Sequence, residues 1–304
     1  MRFDSAPATP VPASKLTPMA VATLTFGDRL AAEVERKRSQ LVVGLDPMRD
    51  LLPVELRGDV ARFCCGIVDA VAPHAVAVKP QLAFFELLGA EGIAAFAEVC
   101  GYARRVGLLV IADGKRGDIG STARAYSAAY LEGEPPVADA LTVNPWLGRE
   151  SVEPYLGAAR RYGAGIFCVV KTSNAGGDVQ DVTLSDGSPM WQHVAKQVAE
   201  WGADLVGEHG LSSVGAVVGA THPRAVGEAR RLMPQAIMLL PGVGAQGGSP
   251  AELARGFTSG PASALVNVSR SAIYAFRETG GDFRTAAGAE AARLKREVWA
   301  VSGW

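Results

Sequence analysis

The segment LLVIADGKRGDIGSTARAY (residues 108–126) opens with five apolar residues and then presents Asp113, Lys115, Arg116 and Asp118 within six. Its apolar part shows no polar alternation, so it predicts a strand buried on both faces, as in a parallel sheet covered by helices. Runs of the same character flank it: QLVVGLD (40–46) and HAVAVKPQ (74–81) before, ALTVNPW (140–146) and GIFCVVKTS (165–173) after. VGAVVGAT (214–221), AIMLLPGV (236–243) and SALVNVSRS (263–271) complete the set. Helical patterns separate them: 59–71, 92–107, 151–163, 191–202, 223–234, 249–260 and 282–301, with one more helix, 26–39, ahead of the first run. Eight strand–helix units over about 260 residues fit a single-domain (β/α)8 TIM barrel spanning 23–304. A doubly wound sheet is the competitor, but GLDP (44–47) stands where a G-x-G-x-x-G turn would follow the first strand. ADLVGEHG (203–210) could be taken for a further strand, which would shift the count by one.

Bulk properties remove several function classes. Hydrophobic residues are 48% of the 304, enough for a large core, and the net charge of −1 carries no footprint of a nucleic-acid or membrane-surface binder. No stretch approaches the ~20 apolar residues of a membrane span. Cys64, Cys65, Cys100 and Cys168 lie in apolar segments without a CxxC pair, and the histidines are scattered. This argues against a zinc cluster or a disulfide framework and for reduced thiols in a cytoplasmic protein. Residues 1–22, rich in Pro, Ala, Ser and Thr, read as a disordered leader or tag without the apolar core of a signal peptide.

In such a barrel the site lies at the C-terminal ends of the strands. In order these ends offer Asp46, Lys79, Asp113 with Lys115 and Asp118, Ser173, Gln246 and Arg270. Asp113 and Lys115, two apart on one strand, are expected to point the same way, with Lys79 beside them from the second strand. The four then make an alternating array in which each lysine and carboxylate keeps its neighbour charged. Taken singly, any of these residues could equally serve a salt-bridge network that only joins strands two and three. The segment LPGVGAQGGSP (240–250) offers open backbone N–H groups with Gln246 as an extra donor, and Ser269 and Arg270 open a helix after the last strand. Loops after strands seven and eight of these barrels commonly hold phosphate in this way. The long connection NAGGDVQDVTLSDGSPM (174–190) is of functional length. Asn144 either lines the pocket or turns the chain before Pro145. Glu208 and His209 read as loop residues, and Arg116 as salt-bridged or solvated outside the array.

DGKRGDIGST (113–122) resembles the D-x-K-x-x-D signature of orotidine 5′-phosphate decarboxylases. PGVGAQGG (241–248) and Ser269–Arg270 are similar to that family's phosphate-binding elements, and VAVKPQLAFFE (76–86) and KTSNAGG (171–177) to its longer bacterial branch. The resemblance covers nearly all of the chain after about residue 25. It implies decarboxylation of orotidine 5′-monophosphate to uridine 5′-monophosphate and CO2, the last step of de novo synthesis of that nucleotide, without metal or cofactor. Lys79, Asp113, Lys115 and Asp118 would be catalytic. Asp46 and Lys79 would bind the ribose hydroxyls, Ser173 the pyrimidine edge, and Pro241, Gln246, Ser269 and Arg270 would belong to the phosphate elements. Asp118, Ile119 and Thr122 would reach a neighbouring subunit's site, implying a homodimer with shared active sites. The same triad is similar to that of magnesium-dependent sugar-phosphate decarboxylases and aldolases, whose second-strand position is typically acidic where this chain has Lys79. A catalytically silent nucleotide-binding barrel is the third alternative.

Overall fold

In the computed structural model, which describes residues 24–174, 176–243 and 250–304, the chain alternates strands and helices. The expected leader, 1–22, lies outside the described residues. The elements begin with α1 (Phe26–Lys37), β1 (Leu41–Leu45), α2 (Val60–Val71), β2 (Ala77–Pro80), α3 (Leu82–Glu86) and α4 (Gly89–Arg105). β3 (Leu109–Arg116), α5 (Gly120–Leu131), β4 (Ala140–Val143), α6 (Arg149–Tyr162), β5 (Gly165–Lys171) and α7 (Met190–Trp201) follow. β6 (Ser212–Val218), α8 (Pro223–Leu232), β7 (Ala236–Pro241), β8 (Ala264–Val268), α9 (Arg270–Ile273), α10 (Phe276–Thr279) and α11 (Phe283–Ser302) complete it. All strand pairs are parallel, and β8 closes on β1 through Leu41 opposite Val266. The fold is the (β/α)8 barrel expected from the repeat of apolar runs. Residues 203–210 form no strand; Val206 makes one isolated bridge to Ser212, so the count of eight stands.

The two-residue period of a strand divides the core in two. Inward-facing Val42, Ile111, Phe167, Ile237, Leu239 and Leu265 fill the barrel, whereas their neighbours Val43, Val110, Ile166 and Val214 pack outward against the helices. On α2, Val60, Phe63, Cys64, Ile67, Val68 and Val71 recur at helical spacing and are buried. Each such large side chain contributes about 1.5–3 kcal/mol by leaving water. The foot of the barrel, at the N-terminal ends of the strands, is closed by α1. Thr25 caps that helix by accepting from Asp28 N at 3.1 Å, and Phe26 meets Phe167 edge to face at 5.8 Å. A Cβ on Gly165 would lie 2.5 Å from the Phe26 ring, so this close approach requires glycine.

Two local expectations change. Residues 250–257, expected to be α-helical, wind as a 3-10 helix between Pro250 and Gly260 (φ +122°). The helix α5, after the charged motif, lacks a strong apolar stripe, buries only Ala123, Ser127 and Leu131, and did not stand out in the sequence. Among the described residues no helix is long and apolar enough to cross a membrane.

Candidate active site

The third strand does not end where its apolar run ends. β3 continues to Arg116, and its pairing with β4 slips: Ala112 is opposite Leu141 and Arg116 opposite Val143, four steps on one strand against two on the other. The extra residues form a bulge, and in it Lys115 adopts φ +44°, a left-handed conformation that a side chain rarely takes. Such a residue costs roughly 1–3 kcal/mol and persists only where its surroundings fix it. Here Lys115 N donates to Thr142 Oγ1 at 2.9 Å, and the Thr142 hydroxyl donates onward to Asp113 Oδ1, also at 2.9 Å. Asp113 and Lys115 do meet, as their spacing leads one to expect, but not through simple alternation. A bulge, not the regular pleat, brings Lys115 Nζ back to Asp113 Oδ1 at 2.7 Å.

Asp113 is the hub. Its Oδ2 accepts from Lys79 Nζ at 2.5 Å and from Gln81 Nε2 at 3.0 Å, while its Oδ1 accepts from Lys115 and Thr142. Burial pushes its carboxyl up, but the two ammonium groups outweigh burial and hold it well below the usual carboxylate range. Burial likewise pulls Lys79 down, yet Asp113 and Asp46 keep it above the usual lysine range, so both remain ionised. Asp46, at the end of β1, shows the opposite balance. Burial raises its carboxyl despite Lys79, and Asp113 adds repulsion. Its Oδ1 is buried with no hydrogen-bond partner among the described residues.

A cleft of about 270 Å³ opens over this cluster. Of the residues expected at the site, it brings together Asp46, Lys79, Asp113, Lys115, Ser173, Pro241, Ser269 and Arg270. Gly44 makes part of this possible, since a Cβ there would overlap Ser269 Oγ. Gln246, with Gly244, Gly247 and Gly248, lies outside the described residues. Asp118, Ile119 and Thr122 are not in the cleft lining. Asp118 accepts from Ile119 N at 2.8 Å and has no ion pair among the described residues, and Ile119 and Thr122 are exposed. One chain thus assembles Lys79, Asp113 and Lys115 of the expected four-member array, because the turn at Gly117 carries Asp118 away from Asp113.

Sequence reasoning missed Gln81, Thr142 and Asn267. Thr142 was legible as the inward polar residue of ALTVNPW beside the motif strand, and Asn267 as the polar residue inside SALVNVSRS. Asn267 is buried, lines the cleft and leaves its Oδ1 without a partner among the described residues. Arg116 turns away to pair with Glu86 and lies over the Tyr126 ring at 5.3 Å, outside the cleft as expected. Asn144 accepts from Trp146 N at 3.1 Å, so it caps the turn at Pro145 and lines a side chamber instead of the cleft. Glu208 and His209 sit at the foot, where His209 N and Nδ1 both lie 2.9 Å from Asp28 Oδ1.

Comparison with known proteins adds the family. Residues 39–278 match the model of the orotidine 5′-phosphate decarboxylase / HUMPS family. The orotidine 5′-phosphate decarboxylase of Rhodopirellula baltica is 45% identical over 84% of this chain and 90% of its own length. That of Deinococcus radiodurans is 45% identical over 83% and 90%. A crystal structure of a candidate orotidine 5′-phosphate decarboxylase from Streptomyces avermitilis superposes with a TM-score of 0.78 at 36% identity, over 94% of this chain and 99% of that one.

Proposed function

The chain belongs to the orotidine 5′-phosphate decarboxylase / HUMPS family, and on that premise we propose that its cleft converts orotidine 5′-monophosphate into uridine 5′-monophosphate and CO2. The observation that carries this is Asp113, buried beneath the cleft with a different lysine on each oxygen. Lys79 is largely buried at the cleft floor, whereas the Lys115 side chain is 45% exposed toward the cleft.

The chemistry follows from the arrangement. The bond from pyrimidine C6 to its carboxylate carbon breaks, the electron pair stays on C6, and CO2 departs. The Lys115 ammonium stabilises that developing carbanion and then transfers its proton to C6, leaving a neutral amine that solvent reprotonates. Asp113 orients Lys115 and stands near the departing carboxylate. Asp46 and Lys79 take the ribose hydroxyls, the unpartnered Asp46 Oδ1 being a ready acceptor. Ser173 faces the base, and Ser269, Arg270 and the segment that holds Pro241 and Gln246 take the phosphate. Binding energy from that remote end serves to orient the reacting centre. Asp113 also bears against the magnesium-dependent reading. Both of its oxygens are already saturated by four donors, two of them cationic, and a divalent ion would meet ammonium groups in place of free carboxylate.

The proposal extends to a cytoplasmic homodimer. The four cysteines are free thiols, which supports the compartment. Exposed Ile119, Trp146, Leu147, Val179 and Val182 gather on the loops after β3, β4 and β5, an apolar rim that supports a second copy seated beside Asp118 and Thr122. Loss of orotate absorbance on mixing the protein with orotidine 5′-monophosphate, undiminished by a chelator, is the expected result. No turnover would leave a silent nucleotide binder, and chelator-sensitive turnover would favour the metal enzyme. Mixed Asp118→Ala and Lys115→Ala chains should regain some activity; none, despite proven subunit exchange, would overturn the shared site.

A further inference from the structure

β5 ends at Lys171, and the next three residues, Thr172, Ser173 and Asn174, line the cleft. Lys171 is buried, and its ammonium donates to Asp181 Oδ2 at 2.6 Å. Asp181 ends the 3-10 turn Gly177–Asp181 of the following loop. Next to it, Gln180 Oε1 accepts from Thr172 N at 2.8 Å, and Gln180 Nε2 donates to Thr172 Oγ1 at 2.9 Å. β6 holds the other side: Gly219 N donates to Lys171 O at 2.8 Å, and Thr221 Oγ1 to Ser173 O at 3.3 Å. Two glycines provide the room. A Cβ on Gly177 would lie 2.9 Å from Thr172 Oγ1, and one on Gly219 would lie 2.8 Å from Ser173 Cα.

These contacts do work that packing does not. Thr172 and Asn174 also line a second chamber of about 340 Å³, with Trp146, Val179 and Trp191 on its far side. Thr172 and Asn174 therefore stand between two cavities, where the contacts from Gln180 and from β6 help set the course of the segment 172–174. The geometry points to Lys171, Gln180 and Asp181 as positioning residues that fix this segment against the nucleobase end of the substrate, acting through Thr172 and Ser173 without touching the ligand. This rests on the decarboxylase reading, which puts the base between Lys115 and β5 and the phosphate across the barrel at β7 and β8. A lysine suits the task, because its ammonium is buried and Asp181 is its carboxylate partner among the described residues, so losing Asp181 would strand a desolvated charge.

The test separates the two ends of the ligand. In Gln180→Ala and Asp181→Ala, affinity for uridine 5′-monophosphate should fall about tenfold while affinity for ribose 5-phosphate stays unchanged, both read by calorimetry. KM for orotidine 5′-monophosphate should rise by a similar factor with kcat within about twofold, the pattern of lost ground-state positioning. Asp181→Glu should restore most of the loss. Equal weakening of both ligands, or none in either variant, overturns the proposal. Gln180→Ala keeps the Lys171–Asp181 pair and decides the matter if Asp181→Ala fails to fold. A wild-type protein that binds uridine 5′-monophosphate but does not turn over orotidine 5′-monophosphate would sink the decarboxylase reading alone and leave this one standing.

Discussion

Asp28 and Asp46 both lose water on folding, one at the foot of the barrel and one at its mouth, and their carboxyls move in opposite directions. Burial raises Asp28, but hydrogen bonds from Thr25 and from the backbone and ring of His209 overcome it and bring the value down to about 2. Burial raises Asp46 too, and there Lys79, Ser269 and Arg270 offset it only in part. The same contrast holds for the neighbours. At the foot, Asp139 accepts from Arg29 at 2.5 Å and from Val110 N at 2.9 Å. Buried Arg230 donates to the carbonyls of Gly256, Met233, Pro234, Ala236 and Ser263. Gln40 and Ser213 leave buried neutral groups unpartnered among the described residues, but the foot's acidic and basic groups close on their own chain. The mouth leaves Asp46 Oδ1 and Asn267 Oδ1 open and holds Lys115 in a strained conformation. The foot's charges are satisfied within the fold, whereas Asp46 and Lys115 at the mouth, which the proposed function gives to the ligand, are held at a cost in stability.

The largest expected effect separates the two regions outright. Lys115→Ala removes the proposed proton donor and should lower turnover by about a thousandfold or more, while the thermal midpoint barely changes. Lys115→Gly should be equally inactive yet about 1 kcal/mol more stable than Lys115→Ala, because only glycine accepts φ +44° freely. Turnover near the wild-type rate in either variant would sink the proposed mechanism. Asp139→Ala should do the reverse. Removing Asp139 should cost roughly 1–3 kcal/mol, since buried Val110 N and part-buried Arg29 lose their acceptor, and denaturant unfolding should report it. The folded enzyme should keep its kcat, because Asp139 lies at the far end of the barrel from the cleft.

How far the sequence could anticipate this contrast depends on what each feature needs. Eight unalternated apolar runs announced a closed parallel barrel, and the polar residues at their ends announced its mouth. Asp113, Lys79 and Lys115 were legible because charge directly after a buried run is rare without a partner. The bulge in β3 was not, since it depends on pairing with β4, and nothing in DGKRG marks Lys115 in place of a glycine for the left-handed position. Nor was the Asp46 imbalance, which comes from how many donors the folded chain brings near each oxygen. The clasp of Lys171 on Asp181 joins residues ten apart through a loop whose course the sequence left open.

Asp46→Asn tests the mouth's side of the comparison with a smaller effect. The raised carboxyl means that folding takes up a proton between the ordinary 3.8 and the folded value, and that above this window the ionised group costs stability. The amide should therefore stabilise the free protein at neutral pH by roughly 0.5–2 kcal/mol, while weakening the binding of uridine 5′-monophosphate. The gain should vanish as pH falls below about 4, where the wild-type carboxyl is protonated as well. A neutral-pH loss of stability would mean that Lys79 needs Asp46 more than burial penalises it.

The mirror experiment at the foot has the smallest effect and the opposite sign. With its folded value lowered from 3.8 to about 2, Asp28 contributes stability that is fully present above the unfolded value and is lost as pH drops through that interval. Asp28→Asn removes the charge and leaves one acceptor oxygen where Thr25 and His209 N use two, so it should be less stable than wild type at about pH 6. The difference should hold down to about pH 4 and then shrink as pH falls toward 2, because acid titrates the wild-type carboxyl and not the amide. Urea midpoints of the two proteins across that range would measure it. A gap of constant size would assign the contribution of Asp28 to hydrogen-bond geometry alone, and the contrast between the two carboxylates would then rest on Asp46 only.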